Sequence, residues 1–480
     1  MHFTAAALAV VFGLPAYTGV LAAQSPRGNA PRVAHFVTER AKVTDPIRRD
    51  RIRRRGTVHA DLTNQEILYF VNFTLGNPPQ NLRASLDTGS SDLWVNIPSS
   101  SLCSKGDGAC SQSGTYDPAS SSTRKNLETL FSVRYADGTS ASGNYATDDL
   151  SISGTKLKDF QFGIGSKSTS TEAVLGIGYP MLESQVQIAG GKPYENLPAR
   201  LASSGAIASS AYSLWLNDLA SNAGSVLFGG VDTAKYSGSL ATLPIQPNAG
   251  VYNQIKITLT GVSFNGSSLQ DNLAHAALLD AGSSLTYLPD TIITKLYAQV
   301  GAQFDSSNGM AYVPCSLATS PLAVAFNFSS PMISVGMDEL VIDMAEEDGS
   351  GPQYPDGSKA CLFGIMPAGA GTVVLGDTFL RSAYVVIDMA SNQVSLGQTV
   401  FNATTSNIIE IAAPGQVPNA TAVPSPITAT LGVGIATPGA TYQPQPSPTP
   451  SSKPNAADGG AKASSLWLLA PLTGLIFLLA

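Results

Sequence analysis

At 480 residues the chain is too long for one ordinary hydrophobic core, so two lobes or domains are expected. Charged residues make up only 13 %, Gly reaches 45, and Val, Ile, Thr, Tyr and Phe recur in short runs broken by Gly, Asn, Asp and Ser. That pattern favours many short strands and excludes a long-helix protein, since neither sustained helical heptads nor a short internal repeat is present.

Residues 1–22 contain no Lys, Arg, Asp or Glu and run from apolar to small, which reads as a secretory signal peptide. Residues 23–55 hold ten Lys or Arg and three acids, a net +7, so residues 56–480 carry −14 against a whole-chain charge of −7. A basic leader on an acidic body docks electrostatically. Its closing "RRDRIRRRG" predicts processing after Arg55, with the leader outside the fold and removed before use. No nucleic-acid partner is expected from it.

The body is taken as residues 56–410. The first notable stretch, "SLDTGSSDLW", carries Asp87 at the end of a short apolar approach. Four cysteines, Cys103, Cys110, Cys315 and Cys361, read as two disulfides in an oxidising compartment. Three connectivities are open, and the short gap favours Cys103 with Cys110. "FSVRYADGTSASG", residues 131–143, alternates Phe131, Val133 and Tyr135 with polar residues before Asp137-Gly138, which predicts a β-hairpin with Tyr135 near its tip and a role as a mobile cover. Sequons at Asn72, Asn265, Asn327, Asn402 and Asn419 are candidate glycan sites.

A second stretch, "LLDAGSSLTY", places Asp280 as Asp87 is placed, 193 residues later. The copying extends further. Gly176 of "AVLGIG" follows Asp87 by 89 residues, and Gly376 of "VVLGDT" follows Asp280 by 96. Two similar β lobes, each offering one carboxylate to a shared cleft, are the simplest reading. Ser90 and Ser283, three residues after each Asp, are placed to hydrogen-bond the carboxylates. Two adjacent carboxylates share a proton over a wide pH range. One then takes a proton from water while the other hydrogen-bonds a carbonyl oxygen, which hydrolyses an amide without metal, cofactor or covalent intermediate.

From Ile411 to Ser452 no residue is charged, and ten prolines fall between Ala412 and Asn455. This reads as an extended stalk over 411–455 with no core of its own. The terminal apolar run Leu466–Ala480 is fifteen residues, short for a spanning helix. With its small residues and polar spacer it matches a glycolipid (GPI) anchor signal over 456–480, with Asn455 the preferred attachment residue.

"LDTGSSDLWV", "VRYADGTSASG", "GSVLFGGVDTAKYSGSL", "LLDAGSSLTYLP" and "VVLGDTFLRSAYVVID" resemble, in order and spacing, the pepsin-like aspartic proteinases over about 340 residues. With the leader, stalk and anchor signal, the chain is similar to a fungal yapsin-type member. The resemblance implies an all-β, bilobal fold with lobes 56–235 and 236–410 meeting near Tyr236. It implies a catalytic dyad of Asp87 and Asp280 supported by Ser90 and Ser283, a flap tyrosine at Tyr135, and Trp94 hydrogen-bonded to it. It pairs Cys103 with Cys110 and Cys315 with Cys361. It also implies peptide or protein substrates, a monomer and a preference for cutting beside basic residues, while the shared proton places activity on the acid side. In the family a hydroxyl follows each Asp and braces the opposite loop. Thr88 keeps it, whereas the second copy has Ala281. The acidic insertion often found in yapsins is replaced by the short "CSKGDGAC" loop.

The rival reading from another class, a silent surface binding protein or adhesin on the same fold, requires a lost carboxylate, and both are present. A serine hydrolase lacks G-x-S-x-G. A metallohydrolase lacks a ligand cluster, since only His59 and His275 lie beyond the leader.

Overall fold

The computed structural model describes residues 31–44, 65–105, 108–135, 138–221, 223–344 and 351–433. The expected signal peptide, the expected processing site at Arg55, Asn455 and the expected anchor signal lie outside them.

Period-two alternation builds the first lobe. Strand Gln80–Asp87 turns Leu82, Ala84 and Leu86 into the core and ends on Asp87. Strand Ala173–Gly176 runs parallel to it, with Asp87 opposite Gly176, and strand Leu93–Asn96 pairs antiparallel with that second strand. The second lobe repeats the arrangement. Strand His275–Leu279 leads to Asp280 and pairs in parallel with Val373–Leu375, which pairs antiparallel with Thr286–Leu288. The near-constant spacing from Asp to Gly is therefore the spacing between two strands that must meet. Gly176 and Gly376 are required by that meeting. A Cβ on Gly176 would lie 2.5 Å from Ser91 N, and one on Gly376 would lie 2.3 Å from Leu285 O.

Among the described residues one 14-stranded sheet spans both halves, and smaller sheets complete the second lobe. The all-β, bilobal expectation holds. The few helices are short; the longest, Asp290–Val300, buries Ile292, Ile293, Leu296 and Val300 and stops at Gly301 in the left-handed region. The disulfides are Cys103–Cys110 and Cys315–Cys361. No described helix is long and apolar enough to cross a membrane.

Two expectations about the ends are corrected. The leader is not wholly outside the fold, because Ala34–Thr44 is a strand between Ala223–Phe228 and Gln65–Leu75 in the large sheet. Its basic composition conceals an alternation. Ala34, Phe36 and Thr38 are buried while His35, Val37 and Glu39 face outward, and Phe36 packs its ring 5.0 Å from that of Phe228. The supposed stalk does not begin at Ile411. Ile411 is fully buried, strand Ala420–Ala422 adds in parallel to Tyr236–Pro244, and Val423 and Ala429 are buried. The segment ends beside the strand that leads to Asp280: Ala276 N donates to Leu431 O at 2.8 Å, and the buried Lys256 Nζ donates to Gly432 O at 3.0 Å. Prolines 414, 418, 424 and 426 are tolerated because the segment lies along an edge and needs few ladder bonds.

Truncation tests this strap. Burial of an aliphatic side chain contributes about 1.5–3 kcal/mol, so ending the chain after Glu410 should lower Tm by roughly 5 °C or more. Ending it after Val433 should leave Tm unchanged. Calorimetry of the two shortened proteins checks both outcomes.

Candidate active site

Each Asp is set by its strand and gripped by its own turn. Ile177 N donates to Asp87 O at 2.8 Å, and Asp280 N donates to Leu375 O at 3.1 Å. Gly89 N donates to Asp87 Oδ1 at 2.8 Å and Ser90 Oγ to Asp87 Oδ2 at 2.6 Å. In the other lobe Gly282 N donates to Asp280 Oδ1 at 3.0 Å and Ser283 Oγ to Asp280 Oδ2 at 2.8 Å. The two environments are near-copies, and both carboxylates are buried. Hydrogen bonds to the charged form favour it, whereas burial and a second carboxylate oppose it.

The two loops interlock. A Cβ on Gly282 would fall 2.5 Å from Asp87 Oδ1 and 3.2 Å from Asp280 Oδ1, so both oxygens lie close to one point. A Cβ on Gly89 would fall 2.7 Å from Asp280 Oδ1. Only glycine allows this approach. Thr88 locks it: its Oγ1 donates to Leu279 O at 2.9 Å and accepts from Ala281 N at 2.9 Å. One hydroxyl thus holds the backbone on both sides of Asp280. Ala281, fully buried, offers no hydroxyl in return.

The predicted hairpin is present. Strands Lys125–Arg134 and Ser140–Ile152 pair antiparallel, with Arg134 opposite Ser140, and Tyr135 follows directly. Trp94 Nε1 donates to Tyr135 Oη at 2.6 Å, and the two rings stack with centroids 6.5 Å apart. Ala136 and Asp137 lie outside the described residues. Of the sequons, Asn72, Asn265, Asn402 and Asn419 are exposed and Asn327 is half-buried. No group of three or more metal-ligating side chains gathers among the described residues.

Sequence reading passed over a second acidic site beside the first loop. Asp92, only 3 % exposed, accepts from Tyr145 Oη at 2.6 Å, Tyr194 Oη at 2.8 Å and Ser184 N at 2.8 Å. Burial lifts its carboxyl above the ordinary range, against the pull of those hydrogen bonds. Its neighbour Glu183 is fully buried and accepts from Tyr194 N at 2.7 Å. Burial pushes Glu183 up to about 9. The signal was there: Asp92 corresponds to Leu285 in the second copy, a charge where the duplicate has an apolar residue.

A duplicated β fold that brings one Asp-x-Gly-Ser loop from each half to a common point is the architecture of the pepsin-like proteinases. A model of the eukaryotic aspartyl protease family matches residues 68–399. The chain belongs to this family and is an aspartic-type endopeptidase. It is 50 % identical over 417 residues to the probable aspartic-type endopeptidase opsB of Aspergillus oryzae, covering 85 % of each chain. It is 35 % identical over 360 residues to secreted aspartic protease 8 of Candida albicans, covering 74 % of this chain and 81 % of that protein. The crystal structure of the aspartic proteinase from Irpex lacteus, at 20 % identity, aligns with a TM-score of 0.58 over 78 % of this chain and 100 % of that one.

Two substitutions probe the site. Thr88→Val keeps the shape but leaves Leu279 O and Ala281 N unsatisfied, at about 1–3 kcal/mol each. Urea unfolding should show the loss. For Glu183, a folded pKa raised above the ordinary 4.5 means that its contribution is full below 4.5 and is lost as pH rises towards 9. Glu183→Gln should therefore flatten the fall in Tm between pH 5 and 8, which melting curves across that range will show.

Proposed function

We propose that Asp87 and Asp280 are the catalytic dyad and that the endopeptidase works on the acid side of neutrality. The observation that carries this is the interlock of the two loops, with both Oδ1 atoms close to one point at Gly282. Two carboxylates so placed hold one proton between them. The ionised one takes a proton from water, whose oxygen attacks the peptide carbonyl carbon, while the protonated one gives its proton to the carbonyl oxygen. Collapse of the resulting diol passes a proton to the amide nitrogen and breaks the C–N bond. Tyr135, on its hairpin and held by Trp94, is the flap residue over the bound peptide.

The wider reading is a secreted, surface-anchored protease. The apolar start of the chain, the Arg-rich segment ending at Arg55, the disulfides and the secreted relative support passage through the secretory pathway with leader removal. Because the leader supplies an inner strand, its removal reorganises the sheet rather than merely uncovering a surface. The chain beyond Val433 serves as the stalk, leading to a GPI anchor at Asn455 on the plasma membrane or, after transfer, the cell wall. The exposed sequons are glycan sites, and the protein acts as a monomer. The net −14 of residues 56–480 favours basic peptides, which supports cleavage beside Lys or Arg.

Asp87→Asn and Asp280→Asn should each lower kcat/KM by at least roughly 10²–10⁴-fold while Tm stays close to that of the parent. Activity should survive a chelator. Peptide cleavage by either Asn variant at a near-parent rate would refute the dyad.

A further inference from the structure

We propose that Asp92 is a positioning residue that sets the stance of the Tyr135 hairpin by gripping both of its strands. The inference rests on the assignment of the dyad and the flap given above, and concerns what holds that flap.

The first grip reaches strand Lys125–Arg134. Asp92 Oδ2 accepts from Ser184 N at 2.8 Å. The same serine turns its hydroxyl to the hairpin, where Ser184 Oγ accepts from Ser132 N at 3.0 Å and donates to Ser132 O. Ser132 lies three residues before Tyr135. The second grip reaches strand Ser140–Ile152. Tyr145 Oη donates to Asp92 Oδ1 at 2.6 Å and accepts from Gln185 N at 3.3 Å. Tyr194 Oη, donating to the same Oδ1 at 2.8 Å, completes the set. Ser184 N, Tyr145 Oη and Tyr194 Oη all donate to this carboxylate, so an acceptor is what the site requires.

Asp92 is itself fixed to the catalytic loop. Gly176 N donates to Asp92 O at 3.0 Å, and Gly176 stands opposite Asp87. Two residues on, Trp94 holds Tyr135 through its hydroxyl. The turn that begins at Asp87 therefore carries two attachments to the hairpin, one at its base through Asp92 and one at its tip through Trp94. Their relative position is set by three residues of one strand entry. The second lobe has no such device at the matching place, since Leu285 there is buried and apolar.

A flap residue acts on a bound peptide, so a shift in its stance weakens binding while the dyad keeps its chemistry. Asp92→Asn places an amide donor among donors. Ser184→Ala removes only the link to Ser132, leaves the backbone N–H on Asp92, and serves if the first variant folds poorly. Both proteins, as the full chain processed to its active form, should show KM raised by roughly fivefold or more with kcat within about twofold. Amide hydrogen exchange should rise over residues 131–135 and 140–145 and not elsewhere. Unchanged KM, a fall in kcat alone, or exchange that rises throughout with a matching loss of Tm would overturn the proposal. Asp87→Asn run alongside separates the two readings. Its failure to abolish cleavage counts against the dyad, whereas an unmoved KM in both Asp92→Asn and Ser184→Ala counts against the hairpin grip alone.

Discussion

The Thr88 hydroxyl is the constraint on which the site depends. It lies between the lobes, donates to Leu279 O and accepts from Ala281 N, and so fixes the backbone on either side of Asp280 from the loop that carries Asp87. The carboxylates are brought together by main chain rather than by attraction, which they do not have. Interlocked glycines let the loops approach, and one neutral hydroxyl with both its donor and acceptor used holds them there. Such a brace does not titrate, so it keeps its strength across the pH range in which the proposed dyad would change charge. The loss of a second brace at Ala281 is tolerable because that residue still supplies the N–H that Thr88 needs.

Around this centre, segments near both ends of the described chain are built into the fold. The leader strand fills an inner position of the large sheet, with Phe36 buried against Phe228. The strap after Glu410 crosses from Tyr236–Pro244 to the strand that leads to Asp280. Its last contacts include Lys256, whose burial pushes its ammonium down to about 8 while Asn248 Oδ1 and Gly432 O accept from it. A cation held by two neutral oxygens is a weaker clamp than an ion pair, but it fixes direction.

How much of this was legible follows from which signals are local. The duplicated Asp loops and their partner glycines could be read because close backbone approach admits few residues, and the same few recur in both halves. The hairpin showed itself through alternation at Phe131, Val133 and Tyr135. The leader strand was hidden because ten basic residues dominate the composition of residues 23–55 as a whole, although Ala34, Phe36 and Thr38 alternate as a strand should. The strap was hidden because its apolar anchors, Ile411, Val423 and Ala429, are too far apart to show a period. Proline there signals an edge as readily as a linker. Asp92 escaped notice because comparing the two copies rewards what they share, and its meaning lies in what they do not.

That difference has a physical consequence for where the enzyme is stable. The first lobe contains two carboxyl groups, Asp92 and Glu183, that burial drives towards their neutral forms, and the Asp92 charge adds to the cost of ionising Glu183. Asp92 is compensated by two phenols and an amide. Glu183 has one amide, and its Oε1 is buried without a partner among the described residues. With its carboxyl pushed up to about 9, Glu183 is protonated in the folded lobe at neutral pH whereas the unfolded chain would ionise it, so stability is lost as pH rises above 4.5 and is restored in acid. The preference of Glu183 for its proton favours the first lobe's packing on the acid side, the same direction as the shared proton of the proposed dyad. In the second lobe Leu285 occupies the place of Asp92, so this coupling between proton uptake and packing belongs to the lobe that carries the Tyr135 hairpin.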